Sequence, residues 1–250
     1  MDWLNTRDWM LKPDTLLLFE GEDLLALLVI PEEPSGIRWL RLMVYYPTIS
    51  PQKVWSEFWN FIVQHPFVGC TTAVIAQNSQ LIPYLIDCGW ENKQSIVFLA
   101  KQVSQPIQQA DETPGLMIRA ATVNDLQQIA AIDQESFIPL WRNSKATLEA
   151  GMRAHGYTTV ATCAGVACGY QLSNHLYTSI HLARLAVMPG FQAKGVGRCL
   201  LDNLNNYAAS VGCDSITVNT QNDNLRSLAL YQKNGFERNS QQFPVLQYQF

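Results

Sequence analysis

The chain has 250 residues, of which 48% are apolar and 15% charged, and its formal net charge is −4. These values are typical of a globular protein with one or two domains, and they exclude a disordered or fibrous chain. The sequence has no run of basic residues. We therefore expect no nucleic-acid partner, because nucleic-acid binding depends on clustered Lys and Arg.

The start of the sequence and its cysteines bear on compartment and metal binding. Asp2 stands where an export signal has Lys or Arg, and the longest apolar run, residues 24–30, is too short to cross a bilayer. The six cysteines show neither C-x-x-C spacing nor a nearby pair of histidines, so we expect reduced thiols and no metal. A bridge between Cys163 and Cys168, which flank a predicted turn, is the alternative. The sequence predicts a cytoplasmic protein with no membrane partner.

The first half of the chain contains strands on either side of a helix. Residues 39–45 are an apolar strand, residues 54–63 a helix rich in Trp and Phe, and residues 72–76 a second strand. A polar segment, residues 104–115, then carries two prolines and no periodicity, which is typical of a linker. We therefore expect one domain at residues 1–103 and a second after the linker, at residues 116–250.

The second half begins with a strand at residues 116–120 and a helix with Thr122 as its N-cap, followed by a second helix from Ser144 through Met152. The remaining predicted elements are two hairpin strands (158–163 and 166–173), a strand (180–187), a helix (198–209), a strand (215–220), a further helix and a closing strand (245–249). Three consecutive strands before the crossover favour a mixed α/β sheet over a doubly wound Rossmann domain.

The two halves share an ordered set of landmarks. Each has a strand ending near a proline, a helix, a Val-Gly-Cys segment, a strand and a glycine followed by an aromatic residue. Val-Gly-Cys occurs at residues 68–70 and 211–213, and the glycine–aromatic pair at residues 89–90 and 235–236. This order predicts an internal duplication with two similar halves.

A glycine-rich turn carries the strongest chemical signal. The strand at residues 180–187 runs into a loop with Gly195 and Gly197, and a helix begins at once. Such a turn directs unpaired backbone N–H groups and the positive helix end at one place, and glycine admits phosphate oxygens close to the backbone. Lys194 and Arg198 add positive charge. The turn alone leaves open the alternative of a tight turn without a ligand.

Three segments of the second half resemble the GNAT acetyltransferase superfamily. Gln192-x-x-Gly195-x-Gly197 matches the family's pyrophosphate loop, residues 218–224 match the next strand with its helix-start Asn, and residues 228–237 match the L-Y-x-K-x-G-F-E signature. The resemblance covers roughly residues 115–250 and implies a GNAT-like fold. The first half resembles the same fold, but residues 48–54 have no Gly-x-Gly, so we interpret it as a degenerate copy without a phosphate cradle.

The resemblance implies an N-acetyltransferase that moves the acetyl group of acetyl-coenzyme A to a primary amine by direct attack in a ternary complex. The strand ending at residue 187 would splay from the next strand, so that its backbone pairs with the pantetheine arm and stabilises the oxyanion. The residues implied to bind the cofactor are Leu185, Ala186, Val187, Gln192, Ala193, Lys194, Gly195, Val196, Gly197, Arg198, Asn224 and Tyr231.

Two of these residues have a second interpretation. Tyr231 matches the tyrosine that acts in the family as general acid toward the departing coenzyme A sulfur. Its alternative is a half-buried aromatic side chain on a helix face. Asn224 matches the residue that binds the coenzyme A arm, and it also suits a helix N-cap; the two roles are compatible.

The general base is the less constrained catalytic group. His181 occupies the place where some family members carry a catalytic glutamate. Strand alternation puts His181 on the same face as Leu185 and puts Arg184 on the other face, and we interpret Arg184 as structural. A neutral imidazole could take the amine proton directly or through water. The alternative is a strand histidine satisfied by a neighbour. Glu135, Asp133 and water are rival bases.

Two questions of function stay open at the level of sequence. A coenzyme A-binding sensor or regulatory module without turnover is the alternative to an enzyme. The acceptor is a small-molecule or peptide amine, whose pocket is built from variable loops. We expect no second cofactor in the N-terminal half and assign that half to the wall of the acceptor cleft or to an interface, such as that of a homodimer.

Overall fold

The structure is a computed structural model. The residues it describes are 6–11, 14–104, 115–154 and 156–250. The predicted linker at residues 104–115 therefore lies, except for its two end residues, outside the described part of the chain. Among the helices of that part, none combines the length and apolar character needed to cross a bilayer. All six cysteines are free thiols, so Cys163 and Cys168 are not bridged.

The chain forms two compact units. The N-terminal unit comprises the described residues of Asp2–Ile96 together with Gln242–Phe250, and the C-terminal unit comprises those of Val97–Gln241. The end of the chain thus belongs to the N-terminal unit, and the compact units do not coincide with the two halves of the sequence.

The N-terminal unit contains helices on two small groups of strands. Strands β1, β2 and β4 form an antiparallel sheet, whereas β5 pairs in parallel with β3 and antiparallel with the end of β12. The helices are α1 (Thr6–Met10), α2 (Pro51–Gln64) and α3 (Ile82–Asp87), and the strands are β1 (Thr15–Glu20), β2 (Asp23–Val29), β3 (Ile37–Trp39), β4 (Leu42–Tyr45), β5 (Thr71–Ile75) and parts of β6 (Glu91–Gln102) and β12 (Glu237–Gln249).

One predicted strand, residues 39–45, is two strands in the structure. Trp39 at the end of β3 is the partner of Ala73 in β5, and Leu42 at the start of β4 is the partner of Val29 in β2. The Arg41 N–H donates to the Val29 carbonyl at 2.9 Å, so the chain changes its pairing partner here. The prediction of one strand was wrong because a continuous apolar run carries no signal for that change.

Helix α2 is the predicted helix rich in Trp and Phe. The Ser50 hydroxyl caps it by accepting the Lys53 N–H at 3.2 Å, and Pro51 fills the first turn, where no N–H acceptor exists. Its buried side chains Trp55 and Phe58 lie in the core of the N-terminal unit, where the Trp55 ring stacks at 5.7 Å on Trp59. The apolar face of this helix is therefore used within its own unit.

The C-terminal unit is built on a mixed sheet. The strand order is β6-β11-β10-β9-β8-β7, with antiparallel pairing from β7 to β10 and parallel pairing of β10 with β11. This confirms the predicted mixed α/β sheet. The additional strands are β7 (Leu116–Ala120), β8 (Gly156–Cys163), β9 (Val166–Leu176), β10 (Ser179–Val187) and β11 (Ser215–Gln221), and the helices are α4 (Leu126–Ser136), α5 (Lys145–Arg153), α6 (Val196–Ser210) and α7 (Leu225–Lys233).

The two faces of this sheet carry different helices. Leu182 of β10 and Val218 of β11 pack in one apolar cluster with Leu204 of α6. On the other face, the buried Tyr170 of β9 donates to Asp133 of α4. The edge between β10 and β11 therefore lies between α6 and α4, and it is where the candidate site begins.

Candidate functional site

Strands β10 and β11 diverge along their length. Their parallel pairing joins Ser179–Leu182 to Ser215–Val218 and does not extend to the remaining residues of β10. Beyond Leu182, the described partner of β10 is β9 alone. The splay expected for this strand is present, and it leaves one edge of β10 open.

The open edge exposes backbone groups of known direction. The Met188 N–H donates to the Cys168 carbonyl at 2.9 Å, and paired residues in an antiparallel ladder alternate between bonded and non-bonded positions. The N–H and C=O groups of Leu185 and Val187 therefore point away from β9, into the gap. The Val187 carbonyl accepts from Gln192 Nε2 at 2.8 Å, which leaves the Leu185 groups and the Val187 N–H for a ligand.

The loop after β10 forms a cradle of backbone N–H groups. Gly195 is the N-cap of α6 and has a φ of +83°, a conformation that favours glycine. The first N–H groups of this 15-residue helix have no acceptor within the helix. A Cβ on Gly197 would lie 3.1 Å from Leu230 Cδ2, so glycine also permits the close approach of α7. The positive end of α6 is thus open to an anion.

A cavity of about 750 Å³ joins the open strand edge to this cradle. Its wall includes the cations Arg198, Arg226 and Lys233 as well as the acid Asp223. The predicted residues that line it are Leu185, Ala186, Val187, Gln192, Ala193, Gly195, Gly197, Arg198 and Asn224. A strand edge, an N–H cradle and cations fit the amide-bearing arm and the diphosphate of coenzyme A.

Comparison with known proteins identifies this architecture. Residues 126–236 match the Acetyltransferase (GNAT) family. The matched segment runs from the start of α4 past the end of α7, so it contains the cavity, the cradle and the open strand edge. Residues 126–236 form a GNAT acetyltransferase domain.

Solved structures show the same fold over more of the chain. A GCN5-related N-acetyltransferase from Sphaerobacter thermophilus is 13% identical with a TM-score of 0.66, covering 97% of this chain and 83% of that one. A tandem GNAT protein from the clavulanic acid biosynthesis pathway is 13% identical with a TM-score of 0.60, covering 94% and 83%. A GCN5-related N-acetyltransferase from Kribbella flavida is 12% identical with a TM-score of 0.57, covering 89% and 86%. No curated protein sequence matches the chain.

These matches confirm the predicted family and fold. The similarity to a tandem GNAT protein agrees with the expected fold of two similar halves. The interpretation of the N-terminal half as a degenerate copy stays a prediction, because the family match is confined to residues 126–236.

Tyr231 of the GNAT domain is buried beside the open edge rather than in the cavity wall. Its side chain is 5% exposed and lies in the cluster that contains Leu182 and Val218, with its ring 5.5 Å from Phe236. Burial raises the pKa of Tyr231 above its ordinary value, and the charge of Arg184 opposes this shift. The phenol is therefore protonated at neutral pH.

His181 lies on a different face from the predicted one. The ladder of β10 and β9 contains a bulge, because Leu182 opposes Ser173 whereas Arg184 opposes Leu172. Past the bulge, Leu185 packs in the α6 cluster that also contains Leu182. The prediction that His181 shares a face with Leu185 was wrong, since the extra residue interrupts the alternation.

The environment of His181 keeps its imidazole neutral. The side chain is 5% exposed, Nδ1 lies 2.9 Å from Thr217 Oγ1, and Nε2 is buried without a hydrogen-bond partner. Burial lowers the pKa of His181 from 6.5 to about 4, and the side chain of Asn219 opposes this shift. His181 is not among the residues that line the cavity.

The other rival bases and the remaining cofactor residues have distinct surroundings. Asp133 is fully buried and accepts two hydrogen bonds from Arg184, whereas Glu135 is exposed on α4. Asn224 caps α7, with its Oδ1 accepting the Ser227 N–H at 3.2 Å. Neither Lys194 nor the buried Val196 belongs to the cavity wall.

Some residues of the wall were not predicted from the sequence. Arg226 and Lys233 lie on one face of α7, the helix that Asn224 caps. Their helical spacing is a signal in the sequence that could have identified them. Ser136 and Phe137, at the end of α4, enter the wall only through tertiary packing and left no local signal.

Proposed function

We propose that the GNAT domain transfers the acetyl group of acetyl-coenzyme A to a primary amine, with both substrates bound together. The observation that carries the proposal is the cavity in which the open edge of β10 meets the N–H cradle of α6. The strand edge suits the amides of the pantetheine arm, and the cradle with Arg198 suits the diphosphate. In this proposal the reactive end of the ligand lies toward Leu185 and the end of α4, both of which line the cavity.

The reaction needs no protein nucleophile. The neutral amine attacks the thioester carbonyl carbon, so a C–N bond forms and the C–S bond breaks. Two proton transfers complete the reaction: the amine loses a proton, and the departing thiolate gains one. The Leu185 N–H points into the gap, where it is suited to donate to the developing oxyanion. Holding amine and thioester together in the cavity removes the entropy cost of their encounter.

We propose Tyr231 as the acid that protonates the departing thiolate. Its raised pKa keeps the hydroxyl protonated throughout the physiological range. Its side chain packs among apolar residues, with the ring 5.5 Å from that of Phe236. Arg184 nearby would stabilise the phenolate that forms on donation.

We propose His181 as the group that accepts the amine proton, through water. The support is its neutral imidazole and the unpartnered Nε2. A pKa this far below neutral makes the imidazole a weak base, so in this proposal the ring only passes the proton on to water and does not hold it. Asp133 is less suited, because its carboxylate is already shared between Arg184 and Tyr170.

An amine panel tests the proposed function. The measurement follows coenzyme A thiol release from acetyl-coenzyme A with small-molecule amines and with peptides, and mass spectrometry identifies the acetylated product. We expect thiol release that depends on at least one amine and equals the acetylated product. Binding of acetyl-coenzyme A without release in the presence of any amine would instead indicate a sensor.

A further inference from the structure

The bulge of β10 decides which backbone groups face the open edge. Ala183 is the extra residue, since Leu182 opposes Ser173 and Arg184 opposes Leu172. In an uninterrupted ladder, Leu185 would take the position of Ala186 opposite Tyr170, and its N–H would point at β9. The bulge is therefore what directs the Leu185 N–H into the gap.

A buried ion pair holds the strand directly after this bulge. Arg184 Nε and Nη2 donate to the two carboxylate oxygens of Asp133, each at 2.8 Å, and Nη2 also donates to the Trp141 carbonyl at 2.5 Å. The guanidinium carbon lies 3.6 Å from the centre of the Phe137 ring. These three hydrogen bonds therefore run to α4 and to the segment that follows it.

The same carboxylate also holds the neighbouring strand. Asp133 accepts from the Tyr170 hydroxyl at 2.5 Å and from the Asn143 N–H at 2.9 Å, and it is fully buried. Tyr170 opposes Ala186 in the ladder, two positions beyond Arg184. Asp133 thus binds one side chain from each strand on the α4 face. A slip by one residue would turn Arg184 to the other face and leave a buried carboxylate without its cation.

We propose that Arg184 is a positioning residue for acetyl transfer: with Asp133 and Tyr170 it fixes the bulge of β10, so that the Leu185 N–H faces the thioester carbonyl. The proposal rests on the proposed acetyl transfer. The network also holds Phe137, which lines the cavity, against the guanidinium. A buried ion pair contributes little net stability over a well-packed apolar pair, so stability alone does not explain why this pair is present. Fixing the strand register does explain it.

Two conservative variants test this role. Arg184→Lys keeps the charge but loses the planar two-pronged contact, and Tyr170→Phe removes one hydroxyl. Both retain the Asp133 carboxylate and a cation at position 184, so a fall in kcat is the loss neither of a base nor of the positive charge near Tyr231. The third variant, Arg184→Met/Asp133→Leu, removes both charges and leaves no buried ion unpaired. Arg119→Met, which breaks the ion pair with Asp125 at the start of α4, is the control.

We expect the double variant to fold, to bind acetyl-coenzyme A within about threefold of the unaltered protein, and to lose about 10²-fold in kcat, the scale of a misplacement near 1 Å. Arg184→Lys and Tyr170→Phe should lose less, in the same direction. Amide hydrogen exchange at Arg184 and Ala186, whose N–H groups face β9, should accelerate relative to α6 in all three. Arg119→Met should keep both kcat and this exchange.

Several outcomes would overturn the proposal. Normal kcat and normal hydrogen exchange at positions 184 and 186 in the double variant would show that the ion pair serves packing alone. If the double variant does not fold, normal kcat and normal exchange in both conservative variants would show the same. Should the unaltered protein release no thiol with any amine, the proposed function fails instead. Hydrogen exchange then still tests whether Arg184 fixes the bulge, because unchanged protection in the variants would contradict that role.

Discussion

The hydroxyl of Tyr231 is the residue-scale feature with the clearest kinetic consequence. Tyr231→Phe keeps the ring packed in its apolar cluster and removes only the hydroxyl, the proposed proton donor. We expect kcat to fall by a factor of about 10² to 10⁴, the usual contribution of a general acid, with little change in acetyl-coenzyme A affinity or Tm. Near-normal kcat would leave water as the proton source, and a loss of affinity alone would make Tyr231 a binding residue.

His181 predicts a dependence of stability on pH. Its pKa is 6.5 in the unfolded chain and about 4 in the folded one, so the unfolded state takes up a proton first as the pH falls. The stabilisation is complete above pH 6.5 and is lost toward pH 4, by about 3 kcal/mol from 1.36 kcal/mol per pKa unit.

The measurement for His181 is the free energy of unfolding in urea between pH 4 and pH 7. His181→Gln should flatten the dependence in this window, whereas His175→Gln, at an exposed position of β9, should leave it unchanged. An equal slope in the unaltered protein and in His181→Gln would contradict the neutral buried imidazole.

Residues with a family motif could be predicted from the sequence, and those fixed by tertiary contacts could not. The spacing of Gln192, Gly195 and Gly197 identified the cradle. The face of His181 was misassigned because a bulge depends on the partner strand and leaves no periodic trace. Arg184 and Asp133 are 51 residues apart, so no local pattern joins them.

At the scale of elements, the cradle at the start of α6 can be tested by charge. Gly195→Glu should abolish measurable acetyl-coenzyme A binding, since it adds a carboxylate where the diphosphate is expected. Gly195→Ala separates the strain of a φ of +83° from the charge and should bind more weakly than glycine but more tightly than glutamate. Unchanged affinity of Gly195→Glu in a titration would place the cofactor elsewhere.

Gly190→Glu is the matched control for the added charge. Gly190 belongs to the same loop but does not line the cavity, and a Cβ there meets no atom within 4 Å. We expect its affinity for acetyl-coenzyme A to stay within a few-fold of the unaltered protein. An equal loss in Gly190→Glu and Gly195→Glu would show a general effect of negative charge rather than a cradle.

The end of β12 is an element whose role lies in the N-terminal unit. Tyr248 pairs with Thr72 of β5, and its ring lies 4.9 Å from Trp59. Tyr248→Ala should cost about 2 kcal/mol of unfolding free energy, from lost burial and the cavity left behind. Urea unfolding followed by tryptophan fluorescence measures this cost. Tyr177→Ala, at a fully exposed position, is the control and should change it little; equal effects would contradict the assigned packing.

Elements with strong periodicity were predicted well, and changes of pairing partner were not. The helix at residues 54–63 and the hairpin across Ala164 and Gly165 are present. The division of residues 39–45 into two strands could not be predicted without knowing which strands they pair with. The closing strand was predicted at residues 245–249, but its pairing with β5 was not. Strand β5 lies more than 160 residues earlier, in the other half of the sequence, so no local pattern indicates the pairing.

At the scale of the whole molecule, we predict one coenzyme A site per chain. Helix α2 of the N-terminal unit starts with Pro51, which has no N–H, and the Ser50 hydroxyl already accepts the Lys53 N–H. That helix end therefore offers fewer free donors than α6 and has no glycine beside it. Calorimetric titration with coenzyme A should give a stoichiometry of one, and a value of two would contradict the assignment.

The cavity of the GNAT domain is proposed to hold acetyl-coenzyme A while its acetyl group passes to an amine. The most direct measurement compares thiol release with acetylated amine in the unaltered protein and in Gly195→Glu. We expect equal amounts of the two products in the unaltered protein, no release without amine, and neither product in Gly195→Glu. Stoichiometric binding of acetyl-coenzyme A with no amine-dependent release, or full turnover by Gly195→Glu, would contradict it.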